Sequence, residues 1–444
     1  MDLKITGIET FDVRFPTALE GVGSDSMHPD GNHSAACVVL TTNEPHLQGC
    51  GHVFTIGSGN NIAAATIGEW AARRGITNMP LSQFTRDPGH FWDRMANDSQ
   101  LRWLGPEKGV SHMAMGAIIN ALWDLWAKRE GKPLWKLLCD MPPSAIVRCV
   151  PFRYISDVLT PRVAIDMLVE LAPTRLDRLA HLLEHGYPAY TTSTGWLEFS
   201  TEQIEQLCHE GLAAGWRHFK IKVGRDLDSD ISRCDAVRSA IGNDAVLMVD
   251  ANQIWENAQQ AIIWMLELAP SRPLWIEEPT SPDDILAHKQ VADALHPHGI
   301  KVATGEHCHN RVMFKQLMQA GAMDFCQIDA CRLGGVNEVL AVLLMAAKFE
   351  IPVCPHAGGV ALCEQVQHFA AFDYVCASGS LEGRIVEYVD HLHEHSAHPA
   401  IVKDGHYRLP TAPGFSTEMR VESVERFLYP TGEVWQKLGV QTTS

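Results

Sequence analysis

The feature that most constrains the fold of this chain is an apolar run that ends in a titratable residue and recurs through the second half of the sequence. Residues 245–249 form such a run and lead into Asp250. Uninterrupted apolar residues are typical of a strand that is buried on both faces, as in parallel α/β sheets. The pattern returns after steps of 27, 29, 23, 27 and 31 positions. Its later ends are Glu277, Glu306, Asp329, His356 and Glu387.

This spacing predicts one strand and one helix per step, because a strand and its crossover helix take about 30 residues. Helical periodicity between the runs, as at Ala258, Ala261 and Met265, supports the prediction. Two more strands are predicted at residues 219–223 and 147–154. Eight strands that alternate with helices predict an α/β fold of the (β/α)8 type, a modified TIM barrel. Catalytic groups of such barrels lie at the carboxyl ends of the strands, so we expect the six titratable residues to surround one cavity.

The length of the chain predicts a second domain, since 444 residues exceed the roughly 250 of a bare barrel. Alternating apolar residues near the start predict a small sheet, and two helical patterns follow it. We therefore expect an α+β capping domain before the barrel and a tail that packs back on it. The predicted ranges are 1–145 for the capping domain, 146–404 for the barrel and 405–444 for the tail.

Two loops of this chain have a possible role at the barrel mouth. The loop at about residues 20–34 is rich in Gly, Ser, Asp and Pro, which predicts mobility. A lid over the mouth and a plain surface connection are the alternatives for it. Residues 186–193 are predicted to be an inserted loop whose tyrosines and hydroxyls either line a pocket or face solvent.

Composition excludes several classes of partner. A formal net charge of -17 argues against nucleic acid or an anionic membrane surface as the main partner. Twelve cysteines without a Cys-x-x-Cys pair predict buried free thiols and a reducing cytoplasm. No apolar run of about 18 residues and no export signal is visible, so neither a membrane span nor secretion is predicted. A homo-oligomer is expected, because barrels of this kind often assemble.

Three carboxylates at consecutive strand ends, those of Asp250, Glu277 and Glu306, predict a metal site. Three hard oxygen ligands with open positions suit Mg²⁺, which keeps waters and accepts substrate oxygens. A single acidic strand end more often pairs with a cation, but three in succession favour a metal. Glu278 is expected to point to the opposite side of its strand and to be no ligand.

Two further groups predict acid–base chemistry beside the metal. Lys220 and Lys222 are two positions apart on one strand, so their side chains project to the same face. If they are buried together rather than facing solvent, they are expected to lower at least one lysine pKa, which a lysine base requires. His356 and Asp329 end adjacent strands, where the carboxylate can fix the tautomer of the imidazole. With a metal, these groups predict proton abstraction next to a carboxylate.

Taken together, these motifs resemble the enolase superfamily, mandelate racemase subgroup. Longer stretches, at residues 14–17, 100–109, 187–193 and 389–393, are similar to the L-fuconate dehydratases of that superfamily. The resemblance implies a Mg²⁺-dependent dehydration of a six-carbon acid sugar, L-fuconate above all, to a 2-keto-3-deoxy acid. The shared motifs are Lys220-x-Lys222, Asp250-x-Asn252, Glu277-Glu278-Pro279, Gly305-Glu306 and the pair of His356 and Asp329.

The resemblance also implies roles for individual residues. Lys222 matches the base that removes the proton at carbon 2, and Lys220 matches a neighbour that contacts the substrate carboxylate. His356, held by Asp329, matches the acid that assists loss of the 3-hydroxyl, although the reverse assignment of base and acid stays open. Substrate-binding residues are implied at Ser24, Asp25, His33, Arg153, Tyr154, Asn252 and Glu387.

Three positions depart from the family pattern, namely His33, Pro151 and Ile254. All three are expected near the distal hydroxyls of the substrate, so they bear on which sugar is accepted. A dehydratase for another acid sugar is therefore one alternative, and a racemase or epimerase that uses the same enediolate is a second. A non-catalytic binding protein is disfavoured because every ligand and base is present. The alternating cluster of His391, His393 and His395 lacks cysteine partners and is predicted to be structural.

Overall fold

A computed structural model describes residues 2–101, 103–105 and 107–440. Arg102 and Pro106, which belong to the dehydratase-like stretch 100–109, and the last four residues of the predicted tail lie outside the described part. The predicted α/β class is present, with one small antiparallel sheet and one large, mostly parallel sheet. Its helices are α1 Asn60–Arg74, α2 Ser82–Thr85, α3 Pro88–Ala96, α4 Gly109–Arg129, α5 Leu134–Asp140, α6 Pro143–Cys149, α7 Pro161–Leu171, α8 Arg175–His185, α9 Thr201–Ala213, α10 Leu227–Ile241, α11 Ala258–Leu268, α12 Ile285–Leu295, α13 Arg311–Ala320, α14 Val336–Lys348, α15 Leu362–Phe372, α16 Val421–Phe427 and α17 Glu433–Lys437.

The small sheet forms from the N-terminal residues, as predicted. Its strands are β1 Ile5–Arg14, β2 His33–Thr42 and β3 Gly49–Ile56, paired antiparallel in that order. Helix α4 packs tightly on β3, because two glycines of this strand present no side chain to it. A Cβ at Gly49 or Gly51 would lie 2.3 or 2.2 Å from a carbonyl oxygen of α4. These glycines therefore fix how closely the helix approaches the sheet.

The barrel consists of eight parallel segments, seven of which are strands. They are β4 Tyr187–Thr191, β5 His218–Lys222, β6 Val246–Asp250, β7 Trp275–Glu277, β8 Lys301–Thr304, β9 Phe325–Cys326, the single bridge at Val353 and β10 Val386–Tyr388. Strand β10 pairs with β4 and closes the ring. In the ladder, Lys222 pairs with Asp250 and Asp250 pairs with Glu277. This register brings the functional side chains of three strands to one level at the carboxyl end of the barrel.

Two predictions about the first barrel strand are wrong. Residues 147–154 do not form a strand, because Pro142 and Pro143 start helix α6 there and a turn follows it. A short apolar run cannot distinguish a buried helix from a buried strand. Residues 186–193, predicted to be a loop, instead contain β4, whose aromatic and β-branched residues favour a strand. Pro188 is accommodated beside β12, where β4 pairs antiparallel.

The C-terminal tail contacts both parts of the molecule. The hairpin that leads into it, β11 Ile401–Lys403 and β12 His406–Arg408, extends the barrel sheet from β4. Beyond the hairpin, the indole of Trp435 donates to the carbonyl of Arg14 at 3.1 Å. The later part of the tail thus packs on the capping sheet, and the exact domain boundaries stay predictions.

One buried carboxylate joins the tail, the capping sheet and α4. Asp124 accepts hydrogen bonds from the backbone N–H groups of Cys50 at 2.9 Å and Phe415 at 2.7 Å, and it pairs with Lys128 at 2.8 Å. We expect Asp124→Ala to lower the free energy of unfolding by about 3 kcal/mol, because two buried N–H groups lose their acceptor. Urea denaturation would measure this loss.

Glu205→Ala, on the exposed face of α9, is the control for that substitution. It should change the free energy of unfolding by less than about 0.5 kcal/mol. An equal effect of the two substitutions would show that Asp124 does not tie the tail to the sheet.

All twelve cysteines are free thiols, and all but the half-buried Cys37 are buried, as predicted. Within the described ranges, no helix has the length and apolarity needed to cross a membrane.

Candidate active site

A cavity of about 280 Å³ lies at the carboxyl end of the barrel strands, beneath the capping sheet. Four of the six strand-end residues line this cavity, and the other two, Asp250 and Glu277, are fully buried beside it. The expectation that the six surround one cavity therefore holds for four of them. The predicted site residues in its wall are Asp25, His33, Lys222, Asn252, Glu306, Asp329, His356 and Glu387.

The predicted carboxylates converge on one point. Asp250, Glu277 and Glu306 each offer an oxygen that lies within 4.8 Å of the other two. Glu277 Oε2 is buried and has no hydrogen-bond partner among the described residues. Burial and the nearby Asp250 raise the pKa of Glu277 to about 8. A buried oxygen without a donor, among hard oxygen ligands, fits a divalent cation such as Mg²⁺.

Glu278 does not point away from these carboxylates, so that prediction is wrong. Its backbone has a φ of 45°, which breaks the alternation of a strand just after β7 ends. Its carboxyl group lies against Glu306 and His307, within 4.8 Å of a ligand atom of each. Glu278 accepts a hydrogen bond from the amide of Gln253, and its other oxygen has no described partner.

The two lysines of β5 project to one face, as their spacing predicts. Lys222 Nζ donates to Asp250 Oδ2 at 2.5 Å and lines the cavity. Lys220 Nζ lies 2.7 Å from Glu277, 2.8 Å from Glu387 and 3.4 Å from Asp250. Lys220 is fully buried and does not line the cavity. Its predicted contact with a substrate carboxylate therefore stays a prediction.

The carboxylates control the charge of both lysines. Burial lowers the pKa of Lys222, but Asp250 outweighs burial and raises it above its ordinary value. Burial also lowers the pKa of Lys220, while Glu277 and Glu387 raise it well above the ordinary range. The expectation of a lowered lysine pKa is wrong because it left out these negative partners. The carboxylates therefore favour the ammonium form of both lysines.

His356 and Asp329 form the predicted pair. His356 Nδ1 donates to Asp329 Oδ2 at 2.7 Å, and Nε2 lies 3.5 Å from Glu306. Burial lowers the pKa of His356, but Glu306, Asp329 and Glu387 raise it to about 10. His356 lines the cavity, and its Nε2 also accepts a hydrogen bond from the backbone N–H of Gly358 at 3.2 Å.

Glu387 and Asn252 complete the floor. Glu387 accepts from Thr192 at 2.5 Å and from the N–H of Ala357 at 2.7 Å. Burial raises the pKa of Glu387, but Lys220 and His356 lower it to about 2. Asn252 has a φ of 46°, and its buried Oδ1 lacks a partner among the described residues. That oxygen is free to accept from a ligand.

Four residues of the loop at 20–34 line the cavity, namely Gly23, Asp25, His28 and His33, and the action of this loop as a lid stays a prediction. Asp25 lines the cavity and accepts from His28, whose ring nitrogen lies 3.1 Å away. His33 also lines it and shares a hydrogen bond of 2.9 Å with His391. Ser24 does not line the cavity, because its hydroxyl donates to Gly21 and accepts from the N–H of Glu198.

Several predicted substrate contacts lie elsewhere. Arg153 and Tyr154 do not line the cavity, since the predicted strand that would have placed them there is absent. Arg153 instead hydrogen-bonds Asn97, and Tyr154 is 42% exposed. Of the three departures from the family pattern, only His33 lines the cavity, whereas Pro151 and Ile254 do not.

The cavity also has a wall that the sequence did not predict. Phe54 and Ile56 of β3, Met113 of α4 and Trp196 supply apolar surface, and they carry no signal that separates them from core residues. Titratable residues missed by the sequence analysis are His28, His307 and Arg332. His307 directly follows Glu306, a proposed metal ligand. This position in the sequence could have indicated that His307 lies at the site.

The three imidazoles of His391, His393 and His395 do not point to a common site. His393 bonds to Glu364 at 2.7 Å, and His395 bonds to Ser423 at 3.0 Å. His391 contacts His33 as described. Each imidazole thus meets a different partner, in agreement with the structural interpretation.

A carboxylate metal site beside lysines and a histidine–aspartate pair, at the carboxyl end of a parallel barrel, defines a class of enzymes that remove a proton next to a carboxylate with the help of a metal. Residues 203–424 match the family model "Enolase C-terminal domain-like". The chain belongs to the enolase superfamily, and its predicted fold class is confirmed.

Three relatives illustrate the similarity. The crystal structure of human "Mitochondrial enolase superfamily member 1" has a TM-score of 0.96 and 53% sequence identity, covering 98% of this chain and 99% of the other. An "L-galactonate dehydratase" of Hypocrea jecorina is 52% identical over 432 residues, covering 97% of this chain and 95% of the relative. A racemase from Streptomyces coelicolor A3(2) "with bound magnesium" has a TM-score of 0.72 and 25% identity, covering 96% and 99%. The predicted magnesium cofactor is thus confirmed within this family.

Proposed function

We propose that this protein is a hydro-lyase of the mandelate racemase subgroup that dehydrates a six-carbon acid sugar, L-fuconate in particular, to its 2-keto-3-deoxy acid. The observation that carries the proposal is the cavity itself. It brings Lys222, His356 and the carboxylate Glu306 to one small volume. The L-galactonate dehydratase relative supports the class of reaction, and L-galactonate has the configuration of L-fuconate with a hydroxyl in place of hydrogen on carbon 6.

The first step in this proposal is the removal of the proton at carbon 2. Lys222 in its neutral form takes this proton, and the electron pair of the C–H bond becomes part of an enediolate. Lys220 supplies positive charge from beneath the cavity floor, where it contacts Glu277 and Glu387. Lys222 must lose its own proton first, which the pairing with Asp250 opposes.

Asp250, Glu277 and Glu306 are the residues that would hold Mg²⁺. When bound, the ion supplies positive charge that stabilises the developing enediolate and offsets the carboxylate charge that keeps Lys222 protonated. The unpartnered oxygen of Glu277 supports this assignment.

The second step is the loss of the 3-hydroxyl. The C–O bond at carbon 3 breaks while a double bond forms between carbons 2 and 3, and the leaving group takes a proton from His356 to become water. Asp329 keeps the imidazole oriented through its 2.7 Å hydrogen bond. The enol product then takes up a proton at carbon 3 and becomes the keto acid. The pairing of His356 with Asp329 supports its role as acid, and Lys222, which lines the same cavity, is proposed as base.

The apolar wall of the cavity supports a deoxy sugar. Phe54, Ile56 and Met113 offer surface against which a terminal methyl group can pack. L-Fuconate ends in such a methyl group, whereas L-galactonate ends in a hydroxymethyl group that needs a hydrogen-bond partner. This wall supports L-fuconate, whereas a contact of the hydroxymethyl group with a polar lining residue such as Ser58 would favour L-galactonate.

A screen of acid sugars with Mg²⁺, scored for 2-keto-3-deoxy product, tests the proposal. We expect turnover of L-fuconate with a kcat/KM about 10- to 100-fold above that of L-galactonate, because one polar group in an apolar pocket is worth about that factor. Removal of Mg²⁺ with a chelator should abolish turnover.

Other outcomes of the screen separate the alternatives. A preference for L-galactonate would support the proposed dehydration but would show that L-fuconate is not the preferred substrate. Products that differ from the substrates only in configuration would indicate the racemase or epimerase alternative. Absence of any product from any acid sugar would refute the dehydratase and favour the binding protein.

Three proposals about the setting of the protein rest on the sequence alone. We infer a reducing compartment, the cytoplasm, from the twelve free cysteines. The negative net charge supports a small-molecule substrate rather than nucleic acid or a membrane as the partner. A homo-oligomer is proposed because barrels of this kind often assemble.

A further inference from the structure

Arg332 is a cation on the cavity wall that the proposed mechanism does not use. It lies between β9 and α14, half-buried, and its backbone N–H donates to Asp329 Oδ1 at 2.8 Å. Its guanidinium meets only weak partners. One nitrogen lies 3.6 Å from the sulfur of Met113, and another lies 3.4 Å from Nδ1 of His307.

Arg332 differs from most other basic residues of the cavity wall in its lack of an acidic partner among the described residues. Lys222 is paired with Asp250, His28 with Asp25, and His356 with Asp329. His307 lies 3.4 Å from Glu306. Arg332 makes no ion pair within the ranges that the structure describes. A guanidinium has five N–H donors and always carries its charge, and no nitrogen of Arg332 is both buried and without a partner, so its remaining donors are open to solvent or to a ligand.

The position of Arg332 separates it from the reacting groups. The imidazole of His307 lies between its guanidinium and the carboxylate Glu306. Met113, its other neighbour, comes from the capping helix α4 and forms part of the apolar wall. The guanidinium of Arg332 is therefore one imidazole ring farther than His307 from Glu306, on the side of the apolar wall.

We propose that Arg332 is a specificity-determining residue that donates hydrogen bonds to the hydroxyl groups on carbons 4 and 5 of the acid sugar. The inference rests on the proposed function and deepens it, because it assigns a residue to the distal half of the substrate. The planar guanidinium offers two parallel N–H groups, a geometry that suits two neighbouring oxygens. Its backbone hydrogen bond to Asp329 anchors this donor beside the proposed acid.

The test compares two substrates in two proteins. One substrate is L-fuconate, and the other is a four-carbon acid sugar with the same configuration at carbons 2 and 3. Arg332→Met, which keeps an unbranched side chain and removes the donors, should lower kcat/KM for L-fuconate about 10- to 100-fold. It should change kcat/KM for the four-carbon substrate less than about threefold. Arg162→Met, at an 83% exposed side chain of α7, is the matched control and should change neither.

Two results would overturn the inference. An equal loss on both substrates would mean that Arg332 acts through His307 on Glu306, and a weakened stabilisation of the protein by Mg²⁺ would accompany that loss. No loss on either substrate would mean that the distal hydroxyls bind elsewhere.

A calorimetric measurement keeps the inference testable if the proposed function fails. Binding of both acid sugars is measured in the Lys222→Ala background with Mg²⁺, with and without Arg332→Met. We expect the substitution to weaken only the binding of L-fuconate, by about tenfold or more. Equal binding with and without it would refute the role of Arg332, whatever reaction the enzyme performs.

Discussion

Lys222→Ala is expected to lower kcat for dehydration of L-fuconate by about 10²- to 10⁴-fold, the range that a general base contributes. The substitution removes the one amine that lines the cavity within the described ranges. Steady-state kinetics with Mg²⁺ measure the effect, and circular dichroism confirms that the variant is folded. A kcat within about threefold of that of the unchanged protein would contradict the assignment of Lys222 to the reaction.

Exchange of the carbon 2 proton with solvent distinguishes base from acid. In deuterated water, His356→Asn should lose dehydration but still exchange this proton, because Lys222 remains. Lys222→Ala should lose both activities. The opposite result, with exchange lost only in His356→Asn, would reverse the roles of the two residues.

Asp250→Asn is expected to abolish the stabilisation of the protein by Mg²⁺. At a Mg²⁺ concentration about a hundredfold above Kd, binding to the folded state contributes about 2.7 kcal/mol, which raises the thermal midpoint. The substitution replaces a charged ligand with a neutral amide and leaves Lys222 without its partner. Thermal unfolding with and without Mg²⁺ measures the difference.

Asp166→Asn, at an exposed position of α7, is the matched control for the metal experiment. It should keep the full rise of the midpoint with Mg²⁺. If Asp250→Asn also keeps this rise, the metal is held elsewhere, and the neighbouring set of Glu278, Glu306 and His307 becomes the candidate.

The barrel and the cluster of three carboxylates followed from the sequence because their residues are ordered by a simple rule. Buried parallel strands read as apolar runs, and the residue that ends each run lies at the active end of the barrel. This rule alone was enough to group Asp250, Glu277 and Glu306 as neighbours. The pair of His356 and Asp329 followed from the same rule, since adjacent strands bring their ends together.

The remaining features depend on contacts that a linear pattern does not contain. Strand β4 was missed because Tyr187 to Thr191 mixes apolar and polar residues, although all but one are buried. The pKa of Lys222 was misjudged because its carboxylate partner comes from the neighbouring strand. Glu278 was placed on the wrong side because its positive φ is a property of the backbone that its sequence neighbours do not reveal.

The wall of the cavity could not be predicted for another reason. Phe54 and Met113 belong to the capping sheet and to α4, and they reach the barrel only after the two parts pack together. Arg153 and Tyr154 were predicted to bind substrate but do not line the cavity. That prediction relied on a strand that the chain does not form. Recognition residues thus required the three-dimensional arrangement, whereas the proposed reacting residues did not.

The tail contacts described above bear on how this chain folds. Trp435 donates a hydrogen bond to Arg14, which lies 421 positions away in the sequence, and Phe415 donates one to Asp124, which lies 291 positions away. The N-terminal sheet cannot complete its packing on a ribosome until nearly the whole chain has emerged. Such long-range contacts slow folding and prolong the exposure of apolar surface. We therefore expect truncation at residue 412 to yield an aggregation-prone protein, although every proposed metal and acid–base residue would still be present.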